Sequence, residues 1–462
     1  MTPATPAMAY PIEADVFDFD LPAQPYPGLR PFEKSDWPIF FGRELITGAV
    51  IDRLVAKQFM ALHGDSGCGK SSLVRAGVMP RLEREHERGG ATWRTTSMLP
   101  RNAPLRNLAV ALAELEHFPA DMARVVELRR VLNLGTKAAE HLSTIRRNER
   151  DHICILVDQF EEVFQFARNG GGDEAQLFVD VLVGLQRAMV PGLHVILTLR
   201  SEFIGASAHL DSLVDTINDT QFLLPRMDHT SLVRAIREPA RLFDGQITRE
   251  VADAIIADSG LGQDQLPLMQ HATMLLYGRA RKKANATWTI DLAAYRSAGG
   301  AARLLSTHAD EVVAQIEAAS EIRAGTRRAI ERVFKALTDI NAEGIAIRRP
   351  QSIKALSDVA GVPTETLLAL LEPLCKEGAS FLMILGHAPY AADELVDISH
   401  EALIRNWATL KEWTETEAED GRRYQRLLLL AEEFEGDRQT VLGPAEYRQR
   451  RSWWDGLAPT PA

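Results

Sequence analysis

From about residue 58 to residue 225, short continuous apolar runs alternate with longer stretches whose apolar residues recur every three or four positions. The runs are Gln58–His63 (QFMALH), Ala91–Leu99 (ATWRTTSML), His152–Asp158 (HICILVD), Leu193–Phe203 (LHVILTLRSEF) and Thr220–Pro225 (TQFLLP). The runs at 58–63, 152–158 and 193–203 predict buried strands of a parallel sheet, while ATWRTTSML alternates well enough for a second strand and TQFLLP supplies a fifth. Between them, Leu105, Leu108, Leu112 and Leu115 recur at helical spacing behind Pro104, which suits a first helical turn. NGGGD (Asn169–Asp173) reads as a loop in which Asp173 can cap the amphipathic helix that follows. The alternation predicts an α/β core of five parallel strands.

From Met227 the pattern becomes all-helical, and Pro267 marks a helix start or kink. A Gly-containing boundary at Tyr295–Leu305 precedes three amphipathic stretches and two short strands joined by a turn, the winged-helix pattern. Leu403, Trp407, Leu410 and Trp413 then share one helical face, and two further helices follow. The pattern therefore divides the chain into a disordered arm (1–24), an α/β core (25–205, last strand near 220–225), a helical lid (226–300), a winged-helix domain (301–415) and C-terminal helices with a tail (416–462).

With 46% hydrophobic and 25% charged residues, the 462-residue chain has the composition of an ordinary soluble protein of several domains. Its formal net charge of −11 argues against a dominant nucleic-acid surface. The predicted third helix of the winged-helix module carries Glu365, Glu372, Lys376 and Glu377, and its acids would oppose phosphate rather than neutralise it. The three cysteines lack metal-ligand spacing and cannot all pair, which fits a reducing cytoplasm. Neither a membrane-spanning run nor a signal-peptide pattern is present in the sequence, so a cytoplasmic protein without membrane contact is expected.

The chemistry centres on Gly64–Ser72 (GDSGCGKSS), a match to Gly-x4-Gly-Lys-[Ser/Thr] between a predicted strand and a predicted helix. Gly64, Gly67 and Gly69 let backbone N–H groups of Asp65, Ser66, Cys68 and their neighbours close around a phosphate, and the helix start adds its positive dipole end. Lys70 is expected on the β- and γ-phosphates and the Ser71 hydroxyl on Mg²⁺, with Ser72 beside it. The run His152–Asp158 ends in Asp158, the acid expected to hold that ion from the next shell. The position after it is Gln159 rather than a glutamate. Glu161 and Glu162 are the candidates for polarising the attacking water, or else ordinary exposed helix residues. Arg200, at the end of the fourth strand with Thr198, is placed to sense the γ-phosphate. Two readings stand equal for Phe41-Gly42-Arg43-Glu44: a turn over the nucleotide base, or a structural lead-in. The aromatics Phe32, Trp37, Phe40 and Phe41 around it call for burial. Pro267 likewise abuts adenine or simply starts a helix, and His400 alone reads as a structural residue.

A whole strand and several helices separate the phosphate loop from Asp158, as in the additional-strand branch of P-loop NTPases. In order, PYPGLRPFEKSDWPIFFGRE, GDSGCGKSSLVRAGVMP, ICILVDQFEE, LTLRSEF, QLPLMQHA and ISHEALIRNW resemble the motifs of the novel STAND NTPases, signal-transduction ATPases related to the AAA+ proteins. The resemblance runs from about Pro25 to about Glu415. It implies an ATPase core, a helical lid and a winged helix acting as a slow, regulatory switch. That switch would be closed and monomeric with ADP, and open and self-associating with ATP and Mg²⁺. It places Gly42 and Arg43 in the base- and ribose-recognition turn, Arg200 as the sensor arginine, Pro267 against adenine and His400 on the ADP β-phosphate. Gln265 departs from the small residue many relatives have before the Leu-Pro. Fused sensor or effector segments expected of relatives are not evident, so separate partner proteins are expected. The alternatives are a AAA-like nucleic-acid remodeller and a non-hydrolysing ADP-bound scaffold.

Overall fold

The computed structural model describes residues 20–85, 91–205, 211–260, 262–283, 287–320, 325–340, 346–386, 389–436 and 441–457. Most of the expected N-terminal arm lies outside the described residues.

The core sheet comprises β1 (Phe59–Gly64), β2 (Thr92–Met98), β3 (Asp151–Val157), β4 (Leu193–Arg200) and β5 (Gln221–Leu223), in the order β2-β3-β4-β1-β5. All pairings are parallel. The spatial insertion between the phosphate-loop strand β1 and the acidic strand β3 is β4, while β2 forms the edge beyond β3. This order puts the C-terminal ends of β1, β4 and β3 side by side, so the loop after Gly64, Arg200 and Asp158 open onto one crevice. The chain packs helices on both sheet faces, with one buried cluster around Phe160, Phe178 and Leu197 and the other around Leu62, Leu73 and Ile196.

The lid contains helices His229–Leu242, Arg249–Asp258, Gln265–Lys283 and Leu292–Ser297. It is not all-helical as the pattern predicts. A parallel pair, β6 (Gly245–Ile247) and β7 (Trp288–Ile290), closes its base, three residues each being too short to show a period of two. Pro267 stands in the first turn of its helix, so it starts that helix rather than kinking it.

The next module has helices Thr326–Ala336, Ile353–Ala360 and Thr364–Cys375. Its strands are β8 (Thr338–Ile340), β9 (Ala346–Arg348), β10 (Gln351–Ser352), β11 (Leu382–Leu385) and β12 (Leu395–Ile398). The sheet β10-β12-β11 is antiparallel, so three helices and a wing are present as the sequence pattern implies. Lid and winged helix share one hydrophobic core, which also takes in Tyr26 and Leu29 from the lead-in segment. The Tyr26 hydroxyl donates to the Ile236 carbonyl, tying the lead-in to the lid.

Two local expectations change. Asp173 does not cap its helix: Gly172–Ala188 begins one residue earlier, behind Gly171, and Asp173 lies in the first turn. The helix through Trp407 is broken there, into Glu401–Asn406 and Ala408–Gly436, although Leu403, Trp407, Leu410 and Trp413 are all buried as expected.

Candidate functional site

The phosphate loop joins β1 to a helical run beginning at Lys70. Gly67 and Gly69 hold φ of 70° and 91°, the left-handed region a β-carbon disfavours. Gly67 has a second constraint, since a Cβ there would lie 2.0 Å from the Gln263 carbonyl oxygen and 3.5 Å from His400 Cε1. Lid, winged helix and phosphate loop therefore touch at one glycine.

Asp158 follows β3 and is buried at 1% exposure, with both carboxylate oxygens occupied. Ser71 Oγ donates to Oδ1 at 2.7 Å and Thr198 Oγ1 to the same oxygen at 2.5 Å. Arg75 Nη2 donates to Oδ2 at 3.0 Å, and its Nη1 to Glu33 at 2.7 Å. Gln159, with a φ of 55°, turns the chain away from the strand and donates its N–H to Thr198 Oγ1. Ser71 and Asp158 form the adjacent hydroxyl and carboxylate that a hard, oxygen-seeking cation requires. Lys70 Nζ donates to the carbonyls of Gly64 and Asp65 at 2.9 and 2.8 Å, folded onto the loop it would leave for a phosphate.

Arg200 crosses a domain boundary. Its Nη2 meets Glu401 at 2.7 Å and its Nε meets Glu161 at 3.4 Å. Burial opposes the charge on Glu401, yet Arg200, Arg348 and Arg405 outweigh it and hold the carboxyl down to about 2. Arg405 then grips Asp264 of the lid with two nitrogens making three hydrogen bonds, and Asn406 adds a fourth to the same carboxylate. A single chain of charges thus runs Glu161–Arg200–Glu401–Arg405–Asp264 through core, winged helix and lid.

His400 caps the helix Glu401–Asn406 through its side chain, Nδ1 accepting the Ala402 N–H at 3.1 Å. That bond assigns the proton to Nε2, which leaves a donor on the ring edge lining the cavity. Burial, then the charge of Arg348, pushes its pKa down to about 4, so the ring is neutral near pH 7.

These groups line a cavity of about 720 Å³. One wall is apolar, built by Phe32, Phe40, Phe41, Leu266, Pro267 and Met383. Phe32, Phe40 and Phe41 are half-buried and face this space, while Trp37 is half-buried beneath the Arg84 guanidinium, where the sequence asked for burial of all four. The other wall is charged, with seven arginines and lysines against four carboxylates. An excess of three positive charges in a chain of net charge −11 marks a site for a polyanion with an apolar end.

The structure brings most of the sequence candidates here: Ser66, Gly67, Gly69, Lys70, Ser71, Ser72, Asp158, Glu161, Arg200, Pro267 and His400 line the cavity. Arg43 reaches it, but its guanidinium donates to the Pro225 and Cys68 carbonyls at 2.7 and 2.9 Å, bracing the loop. Gly42 lies behind the wall, where a Cβ would sit 2.5 Å from the Ser231 carbonyl oxygen, so its close approach is to the lid. Gly64 and Cys68 pack under the loop, and Asp65 pairs with Arg226 on its outer side. Of the two glutamates, Glu161 faces the cavity, buried, with its ionisation opposed by that burial. Glu162 turns away to accept the Arg101 N–H at 2.9 Å, and burial pushes it up to about 7. Sequence reasoning did not select Arg75, Arg101, Asp264, Glu401 or Arg405. Only Glu401, adjacent to His400, and Arg75, one helical turn past Ser71, carried a positional hint.

Fold order, phosphate loop and the Ser71–Asp158 pair define a P-loop NTPase of the additional-strand type. More narrowly, the chain belongs to the Novel STAND NTPase 1 family, whose model matches residues 25–441. It is an ATP-binding NTPase by that membership. No curated protein matches the chain. Among solved structures, the ADP form of the Aeropyrum pernix ORC2 protein is similar at 13% identity and a TM-score of 0.41, covering 87% of this chain and 97% of that one. The Aeropyrum pernix ORC1 protein in complex with DNA is similar at 14% identity and 0.39, covering 80% and 94%. A Walker-type ATPase of Pyrococcus abyssi is similar at 17% and 0.38, covering 82% and 98%. Among the described residues, no helix is long and apolar enough to cross a membrane.

Proposed function

We propose that this protein is an ATP-dependent molecular switch whose closed state is the one described above. The observation that carries the reading is the Arg200–Glu401 bond beside His400. It makes the group placed to sense a terminal phosphate the same group that holds the winged helix down. ADP leaves that bond intact in this reading and receives a hydrogen bond from His400 Nε2. ATP adds charge at the end of β4, competes with Glu401 for Arg200, and loosens the winged helix. A ligand shifts such an equilibrium only by its differential affinity for the two states, and the competition supplies that difference.

Ser71 and Asp158 are the residues that would hold Mg²⁺, which when bound neutralises phosphate charge and polarises the terminal phosphoryl group. Lys70 is assigned to the β- and γ-phosphates. Glu161, buried against Arg200 and facing the cavity, is the residue we assign to orienting water for slow hydrolysis. Pro267 and the aromatics of the lead-in form the seat for adenine. Opening exposes surface now shared by lid and winged helix, and self-association of the ATP state follows from that exposure.

The test combines three measurements on the full chain: the identity of the co-purified nucleotide, ATP turnover against Lys70→Ala, and particle mass with ADP and with a non-hydrolysable ATP analogue. Bound ADP, turnover above the variant, and a mass that rises only with the analogue are expected. An unchanged monomer with either nucleotide removes the self-association step.

The Aeropyrum pernix ORC1 protein was solved in complex with DNA, and that partner is a property of ORC1. Here the third helix, Thr364–Cys375, carries Glu365 and Glu372 and no Lys or Arg, which opposes insertion into a groove. Salt-dependent binding to duplex DNA would reverse this reading.

A further inference from the structure

Arg101 lies three residues beyond β2, the strand next to β3, and so stands at the same crevice end as Asp158. The turn that presents it is fixed from two sides. Asn107 Nδ2 donates to the Leu99 and Pro100 carbonyls, both at 3.0 Å, and the Arg101 N–H donates to Glu162. Its backbone is held at φ 49°, a left-handed conformation that costs a non-glycine residue energy and persists only where the surroundings impose it.

The guanidinium presented this way is poorly satisfied. Nη1 donates to the Leu385 carbonyl at 3.2 Å, across the domain boundary at the end of wing strand β11. Nε is buried without an acceptor, and none of the ion pairs among the described residues includes Arg101. Its neighbours on the wall are committed: Arg75 to Asp158 and Glu33, Arg348 to Asp397. A half-buried guanidinium on a neutral carbonyl, lining a cavity for a polyanion, is a cation awaiting a charged acceptor.

We propose that Arg101 is a second phosphate-sensing residue, which clasps the wing through Leu385 when the nucleotide ends at the β-phosphate and transfers to the terminal phosphate of a triphosphate. The inference rests on the nucleotide-switch reading above and adds a separate latch to it. The exchange has a direction because a charge-assisted bond to phosphate is stronger than one to a peptide carbonyl. Only a triphosphate brings the better acceptor, so the wing is released with ATP and retained with ADP. Arg200 unlocks the first turn after His400; Arg101 unlocks the wing itself.

The experiment compares wild type, Arg101→Gln and Arg101→Lys as full chains. Affinities for ADP and for adenylyl imidodiphosphate are measured by calorimetry, and amide hydrogen exchange is followed in Leu382–Leu385. In wild type the analogue should accelerate exchange in these wing residues relative to ADP. Arg101→Gln should keep ADP affinity within about twofold and lose roughly ten- to a hundredfold of affinity for the analogue, the value of one charge-assisted bond. Its wing amides should exchange fast with either nucleotide, and Arg101→Lys should recover part of the preference. An unchanged affinity ratio in Arg101→Gln, or wing exchange in wild type that ignores the nucleotide, overturns the Arg101 assignment while leaving the switch reading in place. Wild type that binds neither nucleotide overturns both.

Discussion

Arg200 and Glu401, 201 residues apart in sequence, meet at 2.7 Å and join the end of the fourth core strand to the first turn after the histidine of the winged helix. Arg200 is 22% and Glu401 8% exposed, so the pair is screened less than a surface ion pair. Replacing Glu401 by Gln should weaken closure by on the order of 1–3 kcal/mol, because Arg200 keeps its burial and loses its main partner. Faster ADP release and a larger hydrodynamic radius with ADP bound are the readouts. Unchanged ADP release would separate the bridge from nucleotide retention.

His400 acts both as a helix cap and as a cavity donor, and two substitutions separate the roles. Asn retains a cap of comparable quality, whereas Ala forfeits about 1 kcal/mol of capping. Both variants should release ADP several-fold faster, but only His400→Ala should also lose thermal stability. If His400→Asn holds ADP as wild type does, the imidazole is structural only.

The pH response of the closed state follows from the direction of these shifts. His400 and His308 are pushed down to about 4, both chiefly by burial, and buried His271 falls well below its ordinary value. His271 of the lid and His308 of the helix Ala301–Ala319 face each other at 3.2 Å, with Phe381 beside both. For each, the unfolded chain binds the proton more readily, so folding stability is fully present above about pH 6.5 and declines as pH falls toward 4. Glu401, held down to about 2, stays ionised through that range. The histidine contribution to thermal stability should therefore fall below pH 6.5, offset in part by Glu162, whose carboxyl, pushed up to about 7 by burial, favours the folded chain as it takes up its proton. His271→Phe should flatten part of that fall.

Gly67→Ala tests the three-domain contact directly. The added Cβ would stand 2.0 Å from the Gln263 carbonyl oxygen in a backbone with φ of 70°, so loop and lid cannot both keep their places. Nucleotide affinity should drop by at least tenfold, with increased protease sensitivity around residues 260–265. Gly260→Ala, at a φ of 67° with open space around its Cβ, controls for backbone strain alone. Equal effects in the two variants would assign both to backbone strain and leave the contact without a role.

Much of this protein was legible along the chain because the determinants are local. The apolar runs at β1, β3 and β4 became the buried central strands because a parallel strand covered on both faces must be apolar throughout, while β2 and β5, at the sheet edges, are partly exposed. The glycines of the phosphate loop announced their backbone angles, and Asp158 and Arg200 were located by the ends of apolar runs. The three-residue strands β6 and β7 left no periodic signal, and the broken helix at Trp407 kept a continuous apolar face on both sides of the break.

What only the tertiary structure decided is which side chains share the cavity. Glu161 and Glu162 are adjacent in sequence, yet the first faces the cavity and the second braces the turn at Arg101. Arg43, assigned from motif to the base, spends its guanidinium on the loop backbone. Arg75 and Arg101 look like surface cations in sequence and become part of the charged wall of the cavity through Asp158 and the wing. Spacing fixes which face of an element is apolar, since that depends on neighbours three or four residues away. It carries no information about a partner two hundred residues distant, because that meeting depends on how lid and winged helix fold back over the sheet.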